Sequence, residues 1–177
     1  MDMITIRPLT LGDWEAWWPL RLRALQDHPD AFGSDYEEAV AEGEMSHRQR
    51  YVTSIGGKHR IFGALDADGR LVGCAGILGS DRRKLRHRMD VWGMYVTPEA
   101  RGTGTGHRLI QACIDHARTV EGVLQVHLTV TTHNATASRL YERCGFQRYG
   151  REPRALVLSD RTAIDEDLMV LMLDSTS

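Results

Sequence analysis

The spacing of apolar positions changes along the chain, and each change predicts an element. Residues 3–7 alternate apolar and polar side chains, the signature of a short opening strand. After Thr10, the side chains of Trp14, Trp17, Trp18, Leu22 and Leu25 recur at three- and four-residue steps and form one stripe of an amphipathic helix. Pro19 falls inside that stripe and predicts a kink or a restart; His28 and Pro29 end the helix. Residues 29–45 read as a loop, and Ser46 with Gln49 form a capping-box pattern ahead of a second helix reaching Ile55.

Strands follow. Residues 60–65 and 71–78 flank Asp66-Ala67-Asp68-Gly69, a hairpin signal with its own turn chemistry. A basic loop over residues 82–87 leads into a long strand over 89–96. Beyond Glu99 the chain is glycine-rich and then helical, with Leu109, Cys113 and Ala117 on one face and Ile110 and Ile114 extending it. Residues 123–131 alternate again. Asn134 opens another helix whose buried stripe is Ala137, Leu140, Tyr141 and Cys144, and Gly145 sits where a left-handed terminal residue is wanted. Strands over 146–149 and 164–173 complete one domain spanning residues 1–177, of α/β or α+β class around a single central sheet.

Composition narrows the field without naming a function. With 177 residues, 42% hydrophobic and 26% charged, the chain buries a core without disulfides or structural metals. Twenty-two basic against twenty-four acidic side chains leave a net charge of −2, which gives no reason to expect a nucleic-acid or membrane partner. No apolar run reaches the roughly 18 residues of a membrane span. The three cysteines, Cys74, Cys113 and Cys144, show no CxxC pairing, which argues against a disulfide framework and a metal cage. The first residues lack a basic region followed by an apolar stretch, so the expected compartment is the cytoplasm.

The stretch richest in chemistry is Val96-Thr97-Pro98-Glu99-Ala100-Arg101-Gly102-Thr103-Gly104-Thr105-Gly106-His107, between a strand and a helix. Small residues there let backbone N–H groups crowd around an anion, and the helix N-terminus adds a favourable dipole. A Walker-type loop requires a lysine that is missing here, and a dinucleotide fingerprint requires a glycine where His107 stands.

The Arg-x-x-Gly-x-Gly pattern resembles the pyrophosphate loop of the GCN5-related N-acetyltransferase superfamily. Two longer runs extend the resemblance: residues 92–102, beginning Trp-Gly-Met-Tyr-Val, and residues 134–146, which contain Leu-Tyr-Glu-Arg-Cys-Gly-Phe. It is strong over residues 88–147 and vague before residue 60. The resemblance implies a mixed, mostly antiparallel sheet that splays after its fourth strand, flanked by about four helices. It also implies acetyl-coenzyme A as cosubstrate, no metal, an amine as acetyl acceptor, and room for a homodimer.

Site roles follow from the same resemblance. Backbone groups of Met94, Tyr95 and Val96 would pair with the pantetheine amides, and Arg101, Gly102, Thr103, Gly104, Thr105 and Gly106 would hold the pyrophosphate. Asn134 and Ala137 would lie along the pantetheine arm, although Asn134 is equally suited to a plain helix N-cap. Tyr141 takes the place of the family's general acid: a phenol with a pKa of about 10 is protonated at neutral pH and can donate to a departing thiolate. Its bland alternative is a buried helix tyrosine.

An amine of pKa about 10.4 must lose a proton before it attacks, so a base is wanted. Asp90 precedes Val96 by six residues, which puts both on one strand face provided no bulge intervenes; the competing reading is an ion pair with Arg88. His127 and His133 are weaker candidates. For the acceptor, the acidic residues between Asp30 and Glu44 would favour a cationic amine, while the basic run from Arg82 to Arg88 would favour an acidic one. The expected acceptor is a small-molecule or amino-acid-like primary amine; a protein amine, or coenzyme binding without catalysis, are the alternatives.

Overall fold

The computed structural model describes residues 4–173. Strand β1 (Thr5–Pro8) leads through a 3₁₀ turn (Leu11–Asp13) into helix α1 (Trp14–Asp27), followed by α2 (Tyr36–Glu42) and α3 (Glu44–Ser54). Three strands come next, β2 (Arg60–Leu65), β3 (Leu71–Gly79) and β4 (Arg88–Val96). A 3₁₀ turn (Pro98–Ala100) and helix α4 (Thr105–Thr119) precede β5 (Gln125–Thr131), α5 (Ala135–Arg143), β6 (Gln147–Val157) and β7 (Ala163–Met172). The strands form one seven-stranded sheet of order β1-β2-β3-β4-β5-β7-β6. Only β4 and β5 run parallel, so the sheet is mixed and mostly antiparallel, as expected.

Two cores clamp the sheet. On one face α4 and α5 bury Leu109, Ile110, Cys113, Ile114 and Tyr141 against Ala75, Ile77, Met89, Val91 and Val126. Burying each of the branched aliphatic side chains contributes about 1.5–3 kcal/mol. On the other face α1 and α3 pack Trp14, Trp17, Leu20 and Tyr51 over Ile61, Cys74 and Tyr95. The tryptophan stripe is therefore core: Trp14 lies 5.8 Å from Trp17 and 5.4 Å from Tyr51, centroid to centroid, in tilted and edge-on arrangements.

Several expectations need correction. Five α-helices flank the sheet rather than about four, because α2 lies within the segment read as a loop. Asp35 caps it by accepting the Glu38 N–H at 3.0 Å, yet Ala39 is the sole buried residue of its seven, too little to leave a periodic signal. Helix α3 starts at Glu44, and the Ser46 hydroxyl donates to Glu42 at 2.7 Å instead of capping. Helix α1 runs through Pro19, which sits on the solvent side where water can take the carbonyl that the missing N–H leaves. Strand β6 is much longer than predicted, and its exposed edge position and shifted register erase the alternation. Met3 of the opening strand lies outside the described residues.

Candidate functional site

The site is made by a break in strand pairing. Strand β4 pairs with β5 at only three positions, Arg88, Met89 and Asp90; beyond Asp90 the two strands part. The cause is on the other edge of β4. Cys74 of β3 faces Tyr95 and Gly76 faces Trp92, so the single residue Ala75 opposes the pair Gly93 and Met94. That is a β-bulge, and Gly93 adopts φ +63°, a conformation open to glycine and strained for other residues. The bulge turns β4 and leaves the peptide groups of Met94 to Val96 without a β5 partner.

The gap is a cleft of about 830 Å³, within the range of small-ligand sites. At its floor Met94, Tyr95 and Val96 contribute backbone, with the Met94 and Val96 side chains directed to the α4 core and Tyr95 to the α1 core. The Tyr95 hydroxyl donates to Asp27 at 2.6 Å, and burial pushes its pKa up to about 12.

Next comes the glycine loop. Gly104 takes φ +79° as the N-cap of α4, which frees the first backbone N–H groups of that helix to face the cleft. Gly106 allows close packing, since a Cβ there would lie 3.0 Å from Met94 Cε and 3.2 Å from Leu140 Cδ2. Gly102, Gly104, Thr105 and Gly106 all line the cleft. Thr103 does not; its hydroxyl donates to the Ala100 carbonyl at 2.8 Å and lies 2.7 Å from the Thr105 hydroxyl, which stiffens the loop. Arg101 borders the cleft, donating to the Val96 carbonyl at 3.1 Å and meeting His28 at 2.9 Å.

Helix α5 supplies the remaining wall. Asn134 caps it by accepting the Ala137 N–H at 3.1 Å, and both residues line the cleft. One turn on, Tyr141 is 7% exposed and packs edge-on against Phe146 at 6.2 Å. Burial drives its phenol well above the usual range, so it stays protonated. It lines the cleft, and its hydroxyl makes no hydrogen bond among the described residues.

Asp90 is not brought to this site. The bulge at Gly93 reverses the face on which later side chains fall, so the even spacing from Asp90 to Val96 does not put them together. The Asp90 carboxylate is half-exposed and meets Arg88 at 3.4 Å, the competing reading. His127 lies 2.9 Å from Gln125, away from the cleft, and His133 meets Asp30 at 2.5 Å. The exposed turn carrying Arg82 to His87 and the acids of α2 stay outside the lining as well.

The structure adds residues that the sequence did not single out. Glu166, opposite Thr131 in the β5–β7 ladder, is the one carboxylate lining the cleft among the described residues, and burial raises its pKa above the ordinary value. Nothing in the acid-rich run Asp165-Glu166-Asp167 marks the middle residue, because its place depends on the register of two distant strands. Arg21, His28, His107 and Arg143 also line the cleft, so that with Arg101 three arginines border it against the carboxylate of Glu166. Among the described residues, no group of three or more metal-ligating side chains is gathered, and no helix is long and apolar enough to cross a membrane.

Comparison with known proteins agrees with this geometry. A mycothiol acetyltransferase of Salinispora tropica is 29% identical over 84% of this chain and 46% of its own length. A streptothricin acetyltransferase of Streptomyces lavendulae is 36% identical over 67% of this chain and 54% of its own. The chain thus spans about half the length of these curated relatives. A GCN5-related N-acetyltransferase structure from Kribbella flavida superposes with TM-score 0.79 at 25% identity, covering 96% of this chain and 98% of that one. An acetyltransferase of the same family from Streptococcus pneumoniae gives 0.83 at 20% identity, covering 97% and 100%. The family model described as "Acetyltransferase (GNAT) family" matches residues 17–146, which include the bulged strand, the glycine loop and helix α5, and the chain belongs to that family.

Proposed function

We propose that this chain is an acetyl-coenzyme A-dependent N-acetyltransferase that acts on the primary amine of a small molecule or amino-acid-like acceptor. One observation carries the reading: the split between β4 and β5 gathers an unpaired strand edge, a glycine loop at a helix N-terminus and a protonated buried phenol in one cleft. These features fit the cosubstrate part by part. The free N–H groups of the first turn of α4, with Arg101, suit a pyrophosphate. The strand edge at Met94 and Val96, left without a β5 partner, suits the two amides of a pantetheine arm, which adds to the sheet edge as a strand would.

The cosubstrate supplies a thioester carbonyl. The amine nitrogen forms the new C–N bond there as the C–S bond breaks, with oxyanion charge held by backbone donors near Val96. Tyr141 hands its proton to the departing sulfur, and its raised pKa keeps that proton in place at neutral pH. Glu166 is the carboxylate in the cleft able to take a proton from the acceptor ammonium, so that the free amine then attacks, and its raised pKa makes it a better acceptor than an exposed glutamate.

The contacts of the α1–α2 loop with both walls support a small acceptor over a protein side chain. His28 meets Arg101 beside the glycine loop and Asp30 meets His133 ahead of α5, so the loop closes one end of the cleft. The relatives named for mycothiol and streptothricin point the same way.

The test is thiol release from acetyl-coenzyme A by the purified protein across amines, amino acids, polyamines and peptides. Release that requires a small amine is expected. If acetyl-coenzyme A does not bind, the assignment of the loop fails; binding without transfer to any acceptor would leave a coenzyme-binding domain.

A further inference from the structure

Arg21 is a partly buried cation with no counter-ion among the described residues. Its Nη1 has no solvent exposure and no hydrogen-bond partner, and no ion pair involves the side chain among the described residues. The group is held instead by aromatic faces, with its Cζ 4.9 Å from the Phe32 ring and 5.9 Å from the Trp92 ring. Burial lowers its pKa from the usual arginine value, with the Cys74 thiol acting weakly against it. A guanidinium stays charged even so. Leaving such a charge unpaired is costly, and proteins keep that arrangement where a ligand completes it.

Location says which ligand. Arg21 lines the cleft from α1, on the sheet face opposite α4 and the glycine loop. A Cβ built on Gly93 would come within 3.7 Å of Nη1. Gly93 immediately precedes Met94, the start of the unpaired edge proposed for the pantetheine arm. The guanidinium therefore flanks the place where the thioester meets the acceptor, and the absent Gly93 side chain leaves the space between them open. The α1–α2 loop closes that end with Ala31, Phe32, Gly33 and Ser34, and none of its acids enters. Glu166 is no counter-ion either, since no ion pair joins it to Arg21 among the described residues.

The geometry points to an acceptor that carries a carboxylate next to the amine to be acetylated, with Arg21 as the specificity-determining residue that pairs with it. This rests on the acetyltransferase reading and sharpens it. A cationic polyamine would bring like charge to an unpaired guanidinium; a compact amino acid would complete its hydrogen bonds and place its amine near the thioester. Arginine suits the task because its planar fork matches a carboxylate in two parallel hydrogen bonds.

The experiment compares matched acceptors, each amino acid of a panel against the amine obtained by removing its carboxyl group, with acetyl-coenzyme A affinity measured separately by calorimetry. For the wild type, kcat/KM is expected to favour the carboxylated member of the best pair by about 100-fold or more, as expected of a site whose buried polar group is left unpaired by the analogue. In Arg21→Gln that ratio should fall at least tenfold, mainly through KM for the acceptor, while Arg21→Lys should recover part of it. A wild type that prefers the decarboxylated amines overturns the proposal without any variant. So does an Arg21→Gln enzyme that loses activity on both members equally, the behaviour of a merely structural residue. Acetyl-coenzyme A binding with no carboxylated acceptor turned over rejects the inference and leaves the coenzyme site standing; failure to bind acetyl-coenzyme A removes the function on which it rests.

Discussion

Replacing Tyr141 with Phe removes one oxygen from the cleft wall and isolates the chemistry assigned to it. The ring is buried beside Phe146 and faces the α4 core, and the substitution keeps that packing. Among the described residues the hydroxyl makes no hydrogen bond, so stability should change by no more than about 1 kcal/mol. Catalysis should respond very differently. A positioned general acid contributes roughly 10²–10⁴ in rate, which at 1.36 kcal/mol per decade is about 2.7–5.4 kcal/mol of barrier. The expected result is a kcat lowered by that factor, with acetyl-coenzyme A affinity within a few-fold of wild type and an undisturbed melting temperature. Steady-state thiol release, calorimetric titration and thermal denaturation read the three quantities. Burial raises the phenol above its ordinary value, so the protonated form persists as pH rises and wild-type kcat should show no falling limb from this group below about pH 10. A kcat reduced less than about tenfold would refute the acid role. An equal loss of coenzyme affinity would recast Tyr141 as a binding residue.

Gly106→Val drives a side chain against Met94 and Leu140, where even a Cβ would lie 3.0 and 3.2 Å away. The first turn of α4 should shift from β4, cost about 1–3 kcal/mol of stability and weaken acetyl-coenzyme A binding at least tenfold; unchanged affinity would remove the loop from the coenzyme site. Asp13 binds Arg7 through two hydrogen bonds of 2.6 and 2.9 Å, and that contact holds its carboxyl well below the usual range. Its folded pKa lies below its unfolded one, so the contribution is present above the ordinary aspartate value and fades as pH falls through the folded value. Asp13→Asn should cost about 1–3 kcal/mol in urea denaturation at pH 7 and less at pH 3; a gap that widens in acid would contradict the ion pair. Cys74 is fully buried with its thiol pushed up to about 11, and burial pushes Cys113 further. In the native protein neither should react with a thiol reagent that labels all three cysteines after unfolding, and rapid native labelling of either would mean that the core opens.

The sequence disclosed most where local chemistry dictates local form. Each glycine of the α4 loop answers a backbone demand, a left-handed φ at Gly104 and a close approach at Gly106, so the motif could be read without knowing what faced it. The α4 stripe and Tyr141 were legible for the same reason. Long-range register was not. Glu166 reaches the cleft through the pairing of β7 with β5, and no neighbour in sequence advertises that. Helix α2 escaped because Ala39, Val40 and Ala41 are consecutive and only Ala39 is buried, so no helical period shows in seven residues. Arg21 left a signal that went unread: it stands seven residues after Trp14 and four before Leu25, a charge in the centre of an apolar stripe. A cation there must find something to neutralise it, and the fold provides only aromatic rings.

Gly93 ties these observations together. With an unbroken two-residue period in β4, Asp90, Trp92, Met94 and Val96 would share one face, and β4 could pair with β5 along its length. The extra residue at the bulge changes both outcomes. It sends Met94 and Val96 to the α4 side, where they support the glycine loop, and it leaves Trp92 and Tyr95 on the α1 side with Arg21. It also bends β4 from β5, so that peptide groups otherwise spent on a ladder are free for a ligand. The two faces of the sheet thus communicate through one opening, with a coenzyme-sized groove on the α4 side and an unpaired guanidinium on the α1 side. This arrangement suits the proposed acetyl transfer, in which each reactant would enter from its own face and the two would meet where the strand changes direction.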